Sequence, residues 1–307
     1  MTTWDPIALV EAMEVVGKHK FRTLATGIGF TEGPVFRHSG GIVVTSMDRG
    51  HLYLVEPTGA SVFAVTGGTP NGATEGTDGA IYITQSPRRR RGVITGGIQV
   101  ARPEDGSKSV SPYSIGAIVE YITLDVISPN DLCFGPDGLL WVTDPTRRPA
   151  RDDSRIWRVD VDLREAELVV STDYYANGIA FGPEDDAVYV VSTGERRILR
   201  YPIVGSGVGK PETVVQMDHG HPDGFAFDIE GRIIVAVNGE SGEQGDVQVW
   251  DPEGTLLEVI QPAEGQYFTN LAISPQGRMI VTHPDRGAVL ETEWSCAGLA
   301  LHPFRSA

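Results

Sequence analysis

The sequence predicts an all-β chain: a six-bladed β-propeller of four-stranded blades with a short N-terminal helix. Three observations lead there: a recurring phrase, the spacing of its copies, and short alternating runs between them. The clearest copy is Asn130-Asp131-Leu132-Cys133-Phe134, then Gly135-Pro136-Asp137-Gly138, then Leu139-Leu140-Trp141-Val142-Thr143-Asp144. Asp-Gly between two such runs is a strong hairpin signal. Asn177-Gly178-Ile179-Ala180-Phe181, Asp223-Gly224-Phe225-Ala226-Phe227 and Asn270-Leu271-Ala272-Ile273 repeat the opening. Glu32-Gly33-Pro34-Val35-Phe36 and Asn71-Gly72-Ala73-Thr74-Glu75 are looser copies. The leading polar residues fall at 32, 71, 130, 177, 223 and 270, in steps of 39, 59, 47, 46 and 47. Four short strands with their turns need about 40 to 45 residues, one blade of a propeller.

The elements follow in order. Asp5 as N-cap, Pro6 in the first turn and Gly17 as the stop predict a helix over 5–17, with Leu9, Met13 and Val16 on one face. The third repeat shows a blade best, with strands over 131–135, 140–144, 155–161 and 166–171. Alternation there indicates half-buried strands. The last repeat supplies only 270–274, 278–282 and 288–293. Its fourth strand is expected from Arg22-Thr23-Leu24-Ala25, which would lock the ring by joining its two ends; Gly298-Leu299-Ala300-Leu301 is the rival. The long second step predicts an insertion loop over about 86–115, carrying the arginines 88–91. Arg147, Arg148 and Arg151 form a second basic stretch. The whole of 1–307 reads as one propeller domain.

Composition narrows the function. With 37 glycines and 20 prolines in 307 residues, turns are plentiful. A formal net charge of −16 argues against nucleic acid or an anionic membrane as partner. No run approaches the about 18 apolar residues of a membrane span, and no secretory leader is visible, so a cytoplasmic location is expected. Nothing favours one oligomeric state. Cys133 reads as core, and spacing alone does not pair it with Cys296.

In a propeller the innermost strand of each blade lines the central channel. Residues at the start of every inner strand therefore converge on one mouth. Here these anchors are Glu32, Asn71, Asn130, Asn177, Asp223 and Asn270, all with side-chain oxygen and none His or Cys. Asn and Asp are also turn formers in their own right. That accounts less well for the two acids, which would repel across a channel mouth unless a cation lay between them. Oxygen-only donors suit one hard divalent cation, Ca²⁺ before Zn²⁺ or Mn²⁺.

The phrases Thr31-Glu32-Gly33-Pro34, Pro129-Asn130-Asp131, Ala176-Asn177-Gly178, Pro222-Asp223-Gly224 and Thr269-Asn270 resemble those of the senescence marker protein (regucalcin), gluconolactonase and luciferin-regenerating family. The likeness spans about 20–302 and extends more distantly to calcium-dependent phosphotriesterases. It implies a six-bladed propeller with one divalent cation at the channel mouth. It implies Glu32, Asn177 and Asp223 as ligands, with Asn130 either a fourth ligand or a substrate contact.

The expected function is then metal-dependent hydrolysis of a small-molecule lactone, by water attack on a cation-polarised carbonyl. Asp223 is expected to take the proton or orient the water, Asn130 to orient substrate, and His283 is a candidate for proton transfer. Asp131 already lies in its strand and is not counted among the ligands. A phosphotriester or aryl ester would be polarised in the same way, and a non-catalytic calcium-binding propeller would present the same ring. No Gly-x-Ser-x-Gly phrase offers a nucleophilic serine. Trp141, Tyr174, Tyr175, Tyr267 and Phe268 lie beside anchors and read as inter-blade core ahead of pocket lining.

Overall fold

Six antiparallel sheets surround one channel in the computed structural model, which describes residues 14–15, 18–86, 96–103, 116–123, 126–145 and 154–305. Blade one is Thr31–Phe36, Ile42–Ser46, His51–Glu56 and Gly59–Val65. Blade two is Thr69–Glu75, Ile81–Ser86, Gly97–Pro103 and Gly116–Thr123. Blade three is Leu132–Phe134, Leu140–Asp144, Ser154–Asp160 and Glu165–Thr172. Blade four is Ala176–Phe181, Ala187–Ser192, Arg197–Val204 and Glu212–Gln216, with Gly207–Val208 folded back on its third strand. Blade five is His221–Phe227, Ile233–Asn238, Asp246–Trp250 and Leu256–Ile260. Blade six is Leu271–Ile273, Arg278–His283 and Ala288–Glu293, completed by Lys20–Ala25 from the other end of the chain.

Burial explains this arrangement. Second strands such as Ile42–Ser46 are buried at every position, because neighbouring blades cover both of their faces. Outer strands such as Glu165–Thr172 alternate or stay exposed. The core is divided between adjacent blades. Trp141 and Ile156 of blade three pack with Ile179, Val188 and Leu199 of blade four. Trp141 is 2% exposed and stands edge-on to Phe181. Truncating such a side chain to alanine costs about 3–5 kcal/mol.

Two expectations change. Most of the helix predicted over 5–17 lies outside the described residues, but Glu14–Val15 pairs antiparallel with Lys20 and Phe21. The outer edge of blade six offers unpaired backbone groups there, and extension of the sheet satisfies them. The stretch 86–115 is not one loop. Gly97–Pro103 forms the third strand of blade two, paired with the second strand through Ile81↔Ala101 and Gln85↔Gly97. Ile98, Val100 and Ala101 are buried, and this apolar run makes the strand. Arginines 88–91 and Arg147, Arg148 and Arg151 lie outside the described residues.

The C-terminal rival strand has another place. Residues 297–305 cross the far mouth of the channel, opposite the anchors. Ile229 donates its N–H to Ala297, and Leu299 donates its N–H to Phe227. His302 bridges to Phe134, and its Nε2 lies 2.8 Å from Asp185 Oδ1. Arg305 donates to Asp185 at 2.8 Å and to the Gly182 carbonyl at 2.9 Å. Phe304 stacks on His38 at 4.7 Å between ring centres. Both cysteines are free thiols.

Candidate metal centre at the channel mouth

Each anchor is placed by a repeated backbone device. In blades one, two, four and five it sits inside the first strand, where the pairing register slips: Glu32/Val35, Pro70/Ala73, Ala176/Ile179 and Pro222/Phe225. Such a bulge re-aims a side chain out of the ladder. In blades three and six the anchor instead stands just before a three-residue strand. The glycine after the anchor is a packing requirement as well as a turn signal. A Cβ on Gly72 would lie 2.3 Å from Asp131 Oδ1, on Gly178 2.6 Å from the Asp223 carbonyl, and on Gly224 2.1 Å from Asn270 Cγ. Glycine therefore lets the next anchor segment close in.

Threonines, four of the five buried, stitch the ring at the same level. Thr45 Oγ1 donates to the Asn71 carbonyl at 2.6 Å, Thr84 to Asn130 at 2.5 Å, and Thr143 to Asn177 at 2.7 Å. Thr193 does the same for Pro222 at 2.9 Å, and Thr269 for Thr31 at 2.9 Å. Each of these bonds crosses from one blade to another.

The result is an oxygen-lined cup. Glu32 is 5% exposed, Asn177 5% and Asn130 9%. Burial pushes the Glu32 carboxyl well above the usual carboxylate range, and the charges of Asp223 and Asp131 push it further. Burial raises Asp223 to about 7, with repulsion from Asp131 adding to it, against the hydrogen bonds of Asn238 and Asn177. Asp131 is raised to about 6, again by burial, against the N–H groups of Leu132 and Ile179 and the Asn270 amide. Asp131 is half-buried and lines the channel cavity, and desolvation governs it.

Amide orientation completes the donor set. Asn177 Nδ2 donates to Thr193 Oγ1 at 3.0 Å and Asn130 Nδ2 to the Tyr175 hydroxyl at 3.3 Å. Among the described residues no hydrogen bond reaches either Oδ1, and no cationic side chain pairs with Glu32, Asp131 or Asp223. Nor do three His, Cys, Asp or Glu side chains gather there as a metal-binding group. A cation at this mouth would therefore need amide oxygens beside its carboxylates, and the anchors offer them.

Sequence reasoning missed three participants. Asp131 was set aside as a strand residue, yet its charge acts on both Glu32 and Asp223. Asn238 closes the second strand of blade five and donates to Asp223 Oδ2 at 2.8 Å. The signal was an Asn where other second strands end in Ser, Asp or His. Tyr175 orients Asn130, whereas Trp141, Tyr174 and Phe268 are core and Tyr267 is exposed. His283 does not face the pocket. It is fully buried, with Nδ1 3.1 Å from the Tyr267 carbonyl and Nε2 3.2 Å from that of Glu264, and burial lowers its pKa. Below the ring lies a cavity of about 550 Å³, running from Gly33, Asp131 and Asn270 to Leu299, His302 and Phe304.

Residues 30–283 match the family described as SMP-30/Gluconolactonase/LRE-like region. The chain belongs to that family. A gluconolactonase of Zymomonas mobilis is 24% identical over 294 residues, 84% of this chain and 76% of the relative. Among solved structures, a gluconolactonase from Xanthomonas campestris superposes with a TM-score of 0.71 at 21% identity, covering 90% of each chain. A calcium-binding protein, regucalcin, from Agrobacterium tumefaciens gives 0.67 at 19% identity, covering 90% of this chain and 98% of its own. These structures share the six-bladed fold. Family membership agrees with the likeness read from the repeated phrases.

Proposed function

We propose that this propeller is a lactonase that depends on one divalent cation held by Glu32, Asn177 and Asp223, with Asn130 as fourth ligand or substrate contact. One observation carries the reading: three acids whose pKa values burial raises, Asp131 also pushing up Asp223 and both pushing up Glu32, share a mouth where no described cationic side chain neutralises them. An oxygen-only, mixed carboxylate–amide set favours Ca²⁺, with Zn²⁺ or Mn²⁺ behind it. A gluconolactonase relative and a calcium-binding neighbour of the same fold support it.

When bound, the cation supplies Lewis-acid polarisation of the ester carbonyl. The chain's own residues do the remainder. Asp223 positions the attacking water and accepts its proton, held in one orientation by Asn238. Asn130, steadied by Tyr175, presents its amide to the substrate. Asp131, below the ring, adds negative charge and is fixed by the Leu132 N–H at 2.9 Å.

The same arrangement would serve a phosphotriester or aryl ester, and a non-catalytic calcium-binding propeller is the rival from another class. The test is a panel of lactones, aryl esters and phosphotriesters, run with the protein stripped of metal and then resupplied. Lactone opening that appears only with cation is expected. Turnover that survives exhaustive stripping would overturn the reading, and so would its absence under every cation.

A further inference from the structure

Three exposed apolar residues occupy equivalent places around the mouth. Phe30 is 37% exposed, Ile127 48% and Tyr267 38%. Each lies two or three residues before the anchor of its blade: Glu32, Asn130 and Asn270. Single exposed apolar residues need no explanation, but these three share one construction. In each case the backbone N–H is held by an aspartate at or just after the end of that blade's second strand. Phe30 donates to Asp48 at 2.8 Å, Ile127 to Asp144 at 3.0 Å and Tyr267 to Asp285 at 3.1 Å.

These bonds keep the three side chains at the mouth, although turning them inward would remove apolar area from water. Among the described residues, Arg49 and Arg196 near the rim are already engaged. Arg49 donates to the Tyr53 hydroxyl and to the Gly27 carbonyl, and Arg196 pairs with Glu240. A rim of this kind matches poorly with a polyhydroxylated ring, which needs a hydrogen-bonding partner at each hydroxyl.

We propose that Phe30, Ile127 and Tyr267 form a specificity collar for an apolar substituent, so that the preferred substrate is an alkyl- or aryl-substituted lactone, not a sugar lactone. This rests on the lactonase reading above. The ester sits over the anchors and the substituent lies on the collar, where its burial contributes to binding.

The test compares δ-decalactone, δ-valerolactone and glucono-δ-lactone on the full-length, Ca²⁺-loaded protein. The first two share a ring and differ by a pentyl chain. The expected kcat/KM is about tenfold higher for δ-decalactone than for δ-valerolactone, with glucono-δ-lactone below both. Phe30→Ser and Tyr267→Ser should each cut that ratio about twofold. Leu163→Ser, at a site 68% exposed on an outer turn, should leave the ratio as it is. Preference for glucono-δ-lactone, a ratio of one, or equal losses on both alkyl lactones in the variants would overturn the collar. If no lactone is opened, the hydrolase reading fails separately, and calorimetry with the matching δ-lactams decides the collar. Tighter binding of the pentyl lactam, lost in Tyr267→Ser, supports it; equal affinities overturn it.

Discussion

Asn238 Nδ2 donates to Asp223 Oδ2 at 2.8 Å, from the end of one strand of blade five to the anchor on the strand beside it. Asn238 Oδ1 is buried and has no hydrogen-bond partner. The amide is thus committed to the carboxylate on one side only. Groups that orient a ligand carboxylate typically change metal affinity or activity by about 10–100-fold when removed. Asn238→Ala is expected to weaken Ca²⁺ binding and lactone turnover within that range, read by calorimetry and initial rates. An unchanged cation affinity would mean that Asp223 does not depend on this bond.

Cation removal should make stability pH-dependent with an unusual sign. Asp223 is raised from an ordinary 3.8 to about 7, and Asp131 from 3.8 to about 6. Between those limits the folded chain holds protons that the unfolded chain has released. Stability of the stripped protein therefore falls as pH rises from about 4 through about 7. Added Ca²⁺ should flatten this slope, and at about 100 times its dissociation constant it stabilises by about 2.7 kcal/mol. Thermal melts at pH 5 and pH 7.5, with chelator and with Ca²⁺, check both statements. A chelated protein more stable at pH 7.5 than at pH 5 would contradict the carboxylate cluster.

Gly178→Ala tests the close approach of neighbouring anchor segments. The added Cβ would lie 2.6 Å from the Asp223 carbonyl, which is backbone and has little freedom to yield. Overpacking of this kind costs about 1–3 kcal/mol. Gly194→Ala has nothing within 4 Å of its new Cβ and is the matched control. A lower midpoint in urea for the first variant and not the second is expected, together with weaker cation binding in the first.

His283→Ala separates core from chemistry. The ring lies beside Phe268 at 4.9 Å and sits between two backbone carbonyls. Losing it removes the one N–H that the neutral ring donates to these carbonyls and leaves a cavity beside Phe268, at about 1–3 kcal/mol for the lost bond. The variant should melt earlier yet keep the wild-type pH–rate profile at a temperature where it is folded. A lost limb in that profile would restore His283 to the reaction.

How far the chain could be read in advance differs between scaffold and site. The six anchors and their steps were visible because each blade repeats one hairpin, and closure by Arg22-Thr23-Leu24-Ala25 followed from a blade short of one strand. Gly97–Pro103 was hidden because it lies among arginines and glycines that read as loop, while its partner strand is fixed only by tertiary pairing. Asp131 was hidden for a different reason. A place at the head of a strand, just before Leu132–Phe134, does not say which charges meet the side chain from two other blades. Asn238 and Tyr175 share that limit, since each acts on an anchor distant in sequence.

The segment across the far mouth has a consequence for traffic. Leu299, His302 and Phe304 line the lower end of the cavity, so the C-terminal segment narrows the channel on the side away from the anchors. A product that leaves past the anchors and a substrate that arrives there would contend for one doorway. Product should therefore inhibit competitively. Cutting back the C-terminus at residue 297 would remove this lining and widen the passage at that end.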